Sequence, residues 1–292
     1  MNKISQSFIS ITIFVLCMLL FLRYSEAKEI QFINPMEFNF LYLVSFLFFI
    51  ILVLIEHFNG NSKEWTKNEK LLDIFYNILS FVIGILLSYL FGSIYKNHQN
   101  NFENHSILIS SLALLIAIDL IFYWQHRLLH HINLLWPIHR PHHSSAFCGA
   151  VLHGRNSIYL IFLSPVTYIM LFLSLAGFGI QIAICSFIIS LTVTITHSTF
   201  LYQLVRKNYY LKRLEYFLSF VLVTPSMHRI HHYKNNLNQN FGNTFSIFDN
   251  IFKTRQYLND QNEIFGVSEN FNRHWFSQLF LPFAKSNQKS ED

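Results

Sequence analysis

Nine histidines in four short motifs carry most of the chemistry open to this sequence. His126 and His130 frame H-R-L-L-H, and His139, His142 and His143 belong to H-R-P-H-H. His197 stands in T-H-S, and His228, His231 and His232 belong to H-R-I-H-H. On a helix, residues four apart share a face one turn apart, so His126 and His130 can ligate one metal or face two neighbouring ones. In each H-x-x-H-H motif the first and third histidines stack in the same way, and the adjacent one turns toward a second metal. Pro141 makes the second motif a poorer helix, because proline suits only a first turn. Imidazole suits Zn, Fe, Cu and Ni, whereas the absence of a thiolate motif and the few carboxylates argue against Mg, Ca and iron–sulfur clusters. Nine ligands exceed one coordination sphere, so two metals are expected. Arg127 stands where a zinc protease of the H-E-x-x-H type needs its general-base Glu. Histidines clustered at the ends of apolar runs, rather than paired within two of them, disfavour bis-histidine haem. Cys17, Cys148 and Cys185 are too few and too scattered for a disulfide framework or a CxxC site.

The elements that must position these histidines are written in the composition. The chain of 292 residues is 52% hydrophobic and 17% aromatic but only 13% charged. A soluble domain carries about a quarter charged residues, so a lipid-embedded protein is expected. Apolar runs fall at Phe8–Leu22, Phe40–Ile55, Leu72–Tyr95, Ile107–Tyr123, Ile158–Leu175 and Phe178–Thr196. Crossing the hydrocarbon takes about 20 residues, so the shorter runs need their flanks. Ala176, Gly177 and Gly179 join the last two runs as a helical hairpin. The first run also reads as a cleavable signal peptide, with Lys3 before it and Ser25-Glu26-Ala27 before Lys28. A retained helix gives the better topology. With the N-terminus inside and six crossings, only Arg23, Lys28 and Lys96 fall outside, leaving 18 of the 21 basic residues on the cytoplasmic side. All four histidine motifs then emerge on that side, where ionisable groups at membrane depth are costly unless they act. Tyr209–Thr224 interleaves apolar residues with Lys212, Arg213 and Glu215, as an amphipathic or re-entrant interfacial helix would.

The expected fold is therefore all-α, a polytopic membrane helical bundle with a cytoplasmic helical cap that holds a histidine-rich dimetal site. Three parts follow: N-terminal transmembrane helices over 1–106, a domain over 107–256 that carries all nine histidines, and a cytosolic tail over 257–292. The net charge of +5 is scattered beside apolar runs rather than gathered in a stripe, so no nucleic-acid partner is expected. A histidine-rich membrane protein that binds or transports metal, with no catalytic activity, competes with an enzyme as the reading of such a site. A transporter should place ionisable residues at mid-membrane, and here the runs are nearly clean.

Specific text resembles the sterol desaturase/fatty acid hydroxylase superfamily. It comprises D-L-I-F-Y-W-Q-H-R-L-L-H (Asp119–His130), L-W-P-I-H-R-P-H-H-S-S (Leu135–Ser145), T-H-S (Thr196–Ser198) and T-P-S-M-H-R-I-H-H (Thr224–His232). N-F-G-N-T-F-S-I-F-D (Asn240–Asp249) is similar to the segment that follows the last cluster in that family. The resemblance implies a membrane oxidoreductase with two non-haem Fe ions that uses O2 to hydroxylate or desaturate a sterol, fatty acyl or ether lipid. It implies the nine histidines above as ligands, with Asp119 and Asp249 as carboxylates bracing the imidazoles from behind. No haem or flavin segment is visible, so a separate electron-donor protein is implied. The chain departs from the pattern in having His197 alone where members often carry H-x-x-x-H, and in Phe147–Ser157, where His153 is a candidate additional ligand. Arg127, Arg140 and Arg229, one in each cluster, read either as binding a phosphate or carboxylate or as snorkelling to the interface.

Overall fold

A computed structural model describes residues 35–60, 65–96, 106–257, 264–269 and 271–284. The run Phe8–Leu22, and with it the choice between a first helix and a signal peptide, lies outside the described residues. Twelve α-helices occur among the described residues: α1 (Pro35–Phe58), α2 (Lys67–Lys96), α3 (Ile107–His131), α4 (Trp136–His143), α5 (Tyr159–Leu163), α6 (Pro165–Leu173), α7 (Gly179–His197), α8 (Thr199–Lys207), α9 (Tyr209–Leu218), α10 (Pro225–His231), α11 (Ile247–Ile251) and α12 (Trp275–Phe280). Only two isolated β-bridges accompany them, Leu222 with Phe245 and Tyr233 with Phe265.

Among the described residues two helical segments are long and apolar enough to cross a membrane: α3, of 25 residues with an 18-residue stretch at mean hydropathy 2.3, and Ala176–His197, of 22 residues with such a stretch at 2.1. α3 leaves Leu108, Ile109, Leu112 and Ile116 exposed, while Leu115 and Ile118 pack with Val166 of α6 and with Ile182 and Cys185 of α7. α7 is the central strut. Its Ala183 and Phe187 meet Leu41 of α1, and α3 and α10 flank it as well.

The run Ile158–Leu175 does not form one crossing helix. Ser164 and Pro165 split it into α5, of five residues, and α6, of nine. Proline supplies no N–H and clashes with the preceding turn, so it starts a new helix at its first position. The turn between α6 and α7 is a single π-type turn, Ser174–Phe178, in which Gly177 takes φ 99°. That left-handed conformation is open to glycine at no steric cost. α10 starts on a strong local signal: Thr224 accepts from the Met227 N–H and Pro225 takes the first helical position. The amphipathic stretch is shorter than expected, since α9 ends at Leu218 after starting on the Asn208 side-chain cap. The segment read as a tail folds back. Leu279 of α12 packs with Leu72 and Tyr76 of α2, and Gln278 accepts from Ser144 at 2.9 Å.

Candidate metal centre

All nine predicted histidines converge, and they divide into two groups. His126, His130, His139, His143 and His231 bring five ring nitrogens within 4.8 Å of one another; His142, His197, His228 and His232 do the same with four. The division follows from helical geometry. In α4, His139 and His143 lie four apart and share a group while His142 faces the other, and in and beyond α10 His228 and His232 share a group while His231 faces the first. α4 is helical despite Pro141, which at that position forgoes one backbone hydrogen bond in a helix of eight residues.

The hydrogen bonds behind the rings fix which nitrogen carries the proton. His126 Nδ1 lies 3.0 Å from the Phe241 carbonyl, His142 Nδ1 3.1 Å from the Arg155 carbonyl, His197 Nδ1 2.7 Å from the Val193 carbonyl and His231 Nδ1 2.6 Å from the Gln239 carbonyl. A carbonyl oxygen only accepts, so each Nδ1 donates and each Nε2 turns a lone pair inward. His139 Nδ1 makes the equivalent bond to Asn156 Oδ1 at 2.7 Å. Burial holds His139, His142, His143, His228, His231 and His232 well below the usual imidazole range, so these rings are neutral. His142 and His197 therefore set two lone pairs 3.2 Å apart, and His231 Nε2 is buried with no partner. Opposed lone pairs in a dry site repel unless a cation sits among them. The residues present thus fit a pair of metal ions, with donors of the borderline type that suits Fe, Zn, Cu or Ni.

Asp119 and Asp249 do not touch the imidazoles themselves. Asp119 accepts from the Thr244 and Phe245 N–H groups, each at 2.8 Å, and Asp249 from those of Phe241 and Gly242 at 2.8 and 2.9 Å. Both carboxylates hold the loop whose Phe241 carbonyl orients His126. Burial pushes Asp249 up to about 6. Gly242 is required here: a Cβ would stand 2.6 Å from Asp249 Oδ2 and 2.7 Å from the Phe245 carbonyl oxygen.

A second brace comes from far away in the sequence. Arg155, fully buried, donates from Nε and Nη2 to Asp73 of α2, and Trp65 Nε1 donates to the same carboxylate at 2.8 Å. The carbonyl of Arg155 and the side chain of Asn156 are the acceptors for His142 and His139, so the ion pair anchors both rings. Glu56 of α1 accepts from Ser198 Oγ at 2.7 Å and from the Ala150 and Phe200 N–H groups, fixing the end of α7 beyond His197. Sequence reasoning missed Asp73, Arg155 and Glu56, whose partners stand too far along the chain for any spacing rule.

The three cluster arginines face protein rather than headgroups. Arg127 donates to the Tyr123 hydroxyl at 3.2 Å and lies over Trp124. Arg140 donates to the Pro282 carbonyl and pairs with Glu269 at 3.3 Å. Arg229 donates to Thr199 Oγ1 and lies between the Tyr202 and Phe265 rings. His153 belongs to neither histidine group. His131, His57 and His274 lie outside both groups as well, while His98 and His105 are outside the described residues.

A cavity of about 390 Å³ opens against the centre. His126, His139, His142, His197 and His228 form one part of its wall, and Phe122, Leu129, Leu160, Ile161, Met170, Ile189 and Val193 form another. This is within the usual size of a small-molecule site. Both histidine groups thus border one largely apolar space.

Residues 111–254 match the family model described as fatty acid hydroxylase. The chain is 27% identical over 159 residues to alkylglycerol monooxygenase of Homo sapiens, covering 54% of this chain and 33% of the human protein. It is 32% identical over 143 residues to the Danio rerio protein of that name, covering 48% and 29%. It is also 32% identical over 158 residues to Protein CER1-like 1 of Arabidopsis thaliana, covering 51% and 24%. The chain spans a third or less of the length of each. No solved structure matches. The matched residues contain all four histidine motifs, and through them the chain belongs to the sterol desaturase/fatty acid hydroxylase superfamily.

Proposed function

We propose that this chain is a membrane-bound oxidoreductase that oxidises a lipid with O2 at a non-haem di-iron centre. The observation that carries the reading is the pair of histidine groups, with neutral, pre-oriented lone pairs, against one apolar cavity. The name alkylglycerol monooxygenase, carried by several relatives, favours oxygenation of an ether lipid, and membership of the superfamily favours iron and keeps sterol and fatty acyl lipids in the substrate class. The nine histidines are its ligands, and residues 107–256 form the catalytic unit. The six-crossing topology, with the N-terminus and the centre on the cytoplasmic side, is part of the proposal and rests on the distribution of Lys and Arg.

When bound, an iron pair supplies reduction of O2 and abstraction of hydrogen from an unactivated C–H bond. The chain's own part is to hold, orient and exclude. Carbonyls of Phe241, Arg155, Val193 and Gln239 keep Nδ1 protonated and aim each Nε2 inward. Phe122, Leu129, Ile161, Met170 and Val193 keep the adjoining space apolar, so an aliphatic segment lies there without opening the centre to bulk water. Hydroxylation consumes O2, two electrons and two protons and yields an alcohol and water; desaturation consumes the same and yields an alkene and two waters. The electrons come from a separate donor protein.

The test compares lipid extracts of cells that express the wild type and His231→Ala, alongside metal analysis of anaerobically purified protein. An oxidised lipid present only with the wild type, and two irons per chain, are expected. Identical extracts would remove the enzyme reading, and a single metal per chain would remove the dimetal one.

A further inference from the structure

His153 is a half-buried imidazole that the two metal-binding groups leave over. It follows the short turn Ala150–Leu152, packs against Phe49 of α1 with ring centroids 4.7 Å apart, and lines the cavity together with His142 and His197. Its Nδ1 is buried and has no hydrogen-bond partner. Burial also takes the ring down to about 4, so it is neutral and carries one proton. With no acceptor at Nδ1, that proton is best placed on Nε2, the nitrogen left to meet the contents of the cavity. The wall otherwise presents Phe122, Leu129, Ile161 and Met170 beside polar side chains such as Ser164 and Gln125, which bond to each other, and a purely hydrocarbon occupant would leave the His153 nitrogen unmet. Buried polar groups left unmet are disfavoured, so the occupant that completes this cavity brings oxygen with it.

We infer that His153 is a specificity-determining residue that donates from Nε2 to a hydroxyl, ether or carbonyl oxygen of the bound lipid. The contact fixes how far the lipid enters, and so which carbon lies against the histidine groups. This rests on the cavity being the lipid site, and it reaches beyond that reading by naming the polar end of the substrate and the residue that reads it.

The experiment measures binding, not turnover. Metal-loaded full-length protein in lipid nanodiscs is offered tritiated hexadecanol or tritiated hexadecane, and retention is read by scintillation proximity. Wild type, His153→Phe and His153→Gln are compared, with His153→Leu as a second donorless variant should the Phe protein not accumulate. Bound metal is measured on each. The wild type should prefer the alcohol, and the Phe or Leu variant should lose about fivefold of that preference, the effect of one ordinary hydrogen bond. The Gln variant, whose amide still donates, should keep most of it, and metal content should be equal throughout. Loss of metal in the variants overturns the inference by making His153 a ligand. An unchanged preference in His153→Phe, or no preference in the wild type, overturns it by showing that water or nothing meets the ring. Identical lipid extracts in the cell comparison above, with the alcohol preference intact here, would refute the oxygenase reading and leave this one standing.

Discussion

Replacing Asp73 with Asn removes the countercharge of a guanidinium that no water reaches. Arg155 and Asp73 are both fully buried, and the next carboxylate oxygen, Glu69 Oε1, lies 3.9 Å from Arg155 Nη1. Breaking a buried pair from one side costs about 3–5 kcal/mol, because the remaining charge is stranded. For a chain of this size that corresponds to a fall in unfolding temperature of roughly 6–20 °C. Arg155→Met should cost a similar amount by stranding Asp73. The double variant Asp73→Asn/Arg155→Met leaves no buried charge from the pair, and its amide oxygen still accepts from Trp65. It should therefore be less destabilised than either single variant, with a coupling of about 2 kcal/mol or more. Both single variants should also bind less metal, since the carbonyl of Arg155 and the side chain of Asn156 orient His142 and His139. The assay is thermal unfolding of detergent-solubilised protein at one scan rate, with metal per chain measured before heating. A double variant that melts below both singles would refute the reasoning, as would an Asp73→Asn protein with wild-type metal content and melting temperature.

Asp249→Asn turns an amide N–H toward a backbone N–H of Phe241 or Gly242, loosening the loop that orients His126; metal affinity should fall ten- to a hundredfold in competition with a chelator. Gly242→Ala has no room for its methyl beside the Phe245 carbonyl oxygen, 2.7 Å away, and should cost about 1–3 kcal/mol; a melting temperature equal to the wild type would contradict the loop geometry. His153 is lowered from its usual 6.5 to about 4, so between those values the unfolded chain binds a proton that the folded one refuses. Its contribution to stability is thus complete above about pH 6.5 and declines as the pH falls toward 4. His153→Phe should flatten the pH dependence of unfolding by one proton in that window, and an unchanged slope would show that the ring is charged or solvated when folded.

Much of the centre was legible because its rules are local. The i, i+4 spacing of His126 with His130, of His139 with His143 and of His228 with His232 places each pair in one group, and the odd residues His142 and His231 fall to the opposite groups. The oxygens that aim the rings were not legible in the same way. Four are backbone carbonyls, which any residue supplies, and only the text Asn240–Asp249 marked the stretch that carries Phe241. Asp73 reaches Arg155 across 82 residues and Glu56 reaches Ala150 across 94, separations at which no periodicity operates. The run Ile158–Leu175 failed for a different reason. Average hydropathy does not register the backbone constraint of Pro165, which divides one apolar stretch into two short helices.

A feature visible in both views connects the spacing to the chemistry. His130 lies in the last turn of α3, His142 and His143 in that of α4, His197 in that of α7 and His231 in that of α10. Four helix C-termini thus deliver histidines to one place. Helix C-termini carry partial negative charge, which favours cations there by about 0.3–1 kcal/mol each, more where burial limits screening. Neutral imidazoles would bring no charge of their own to offset the two metal ions proposed here, and Asp119 and Asp249 spend theirs on backbone N–H groups. The converging helix ends would supply part of that compensation without protonatable groups, which would keep the ring lone pairs free for metal. Histidines at the ends of apolar runs are the trace this arrangement leaves in the sequence.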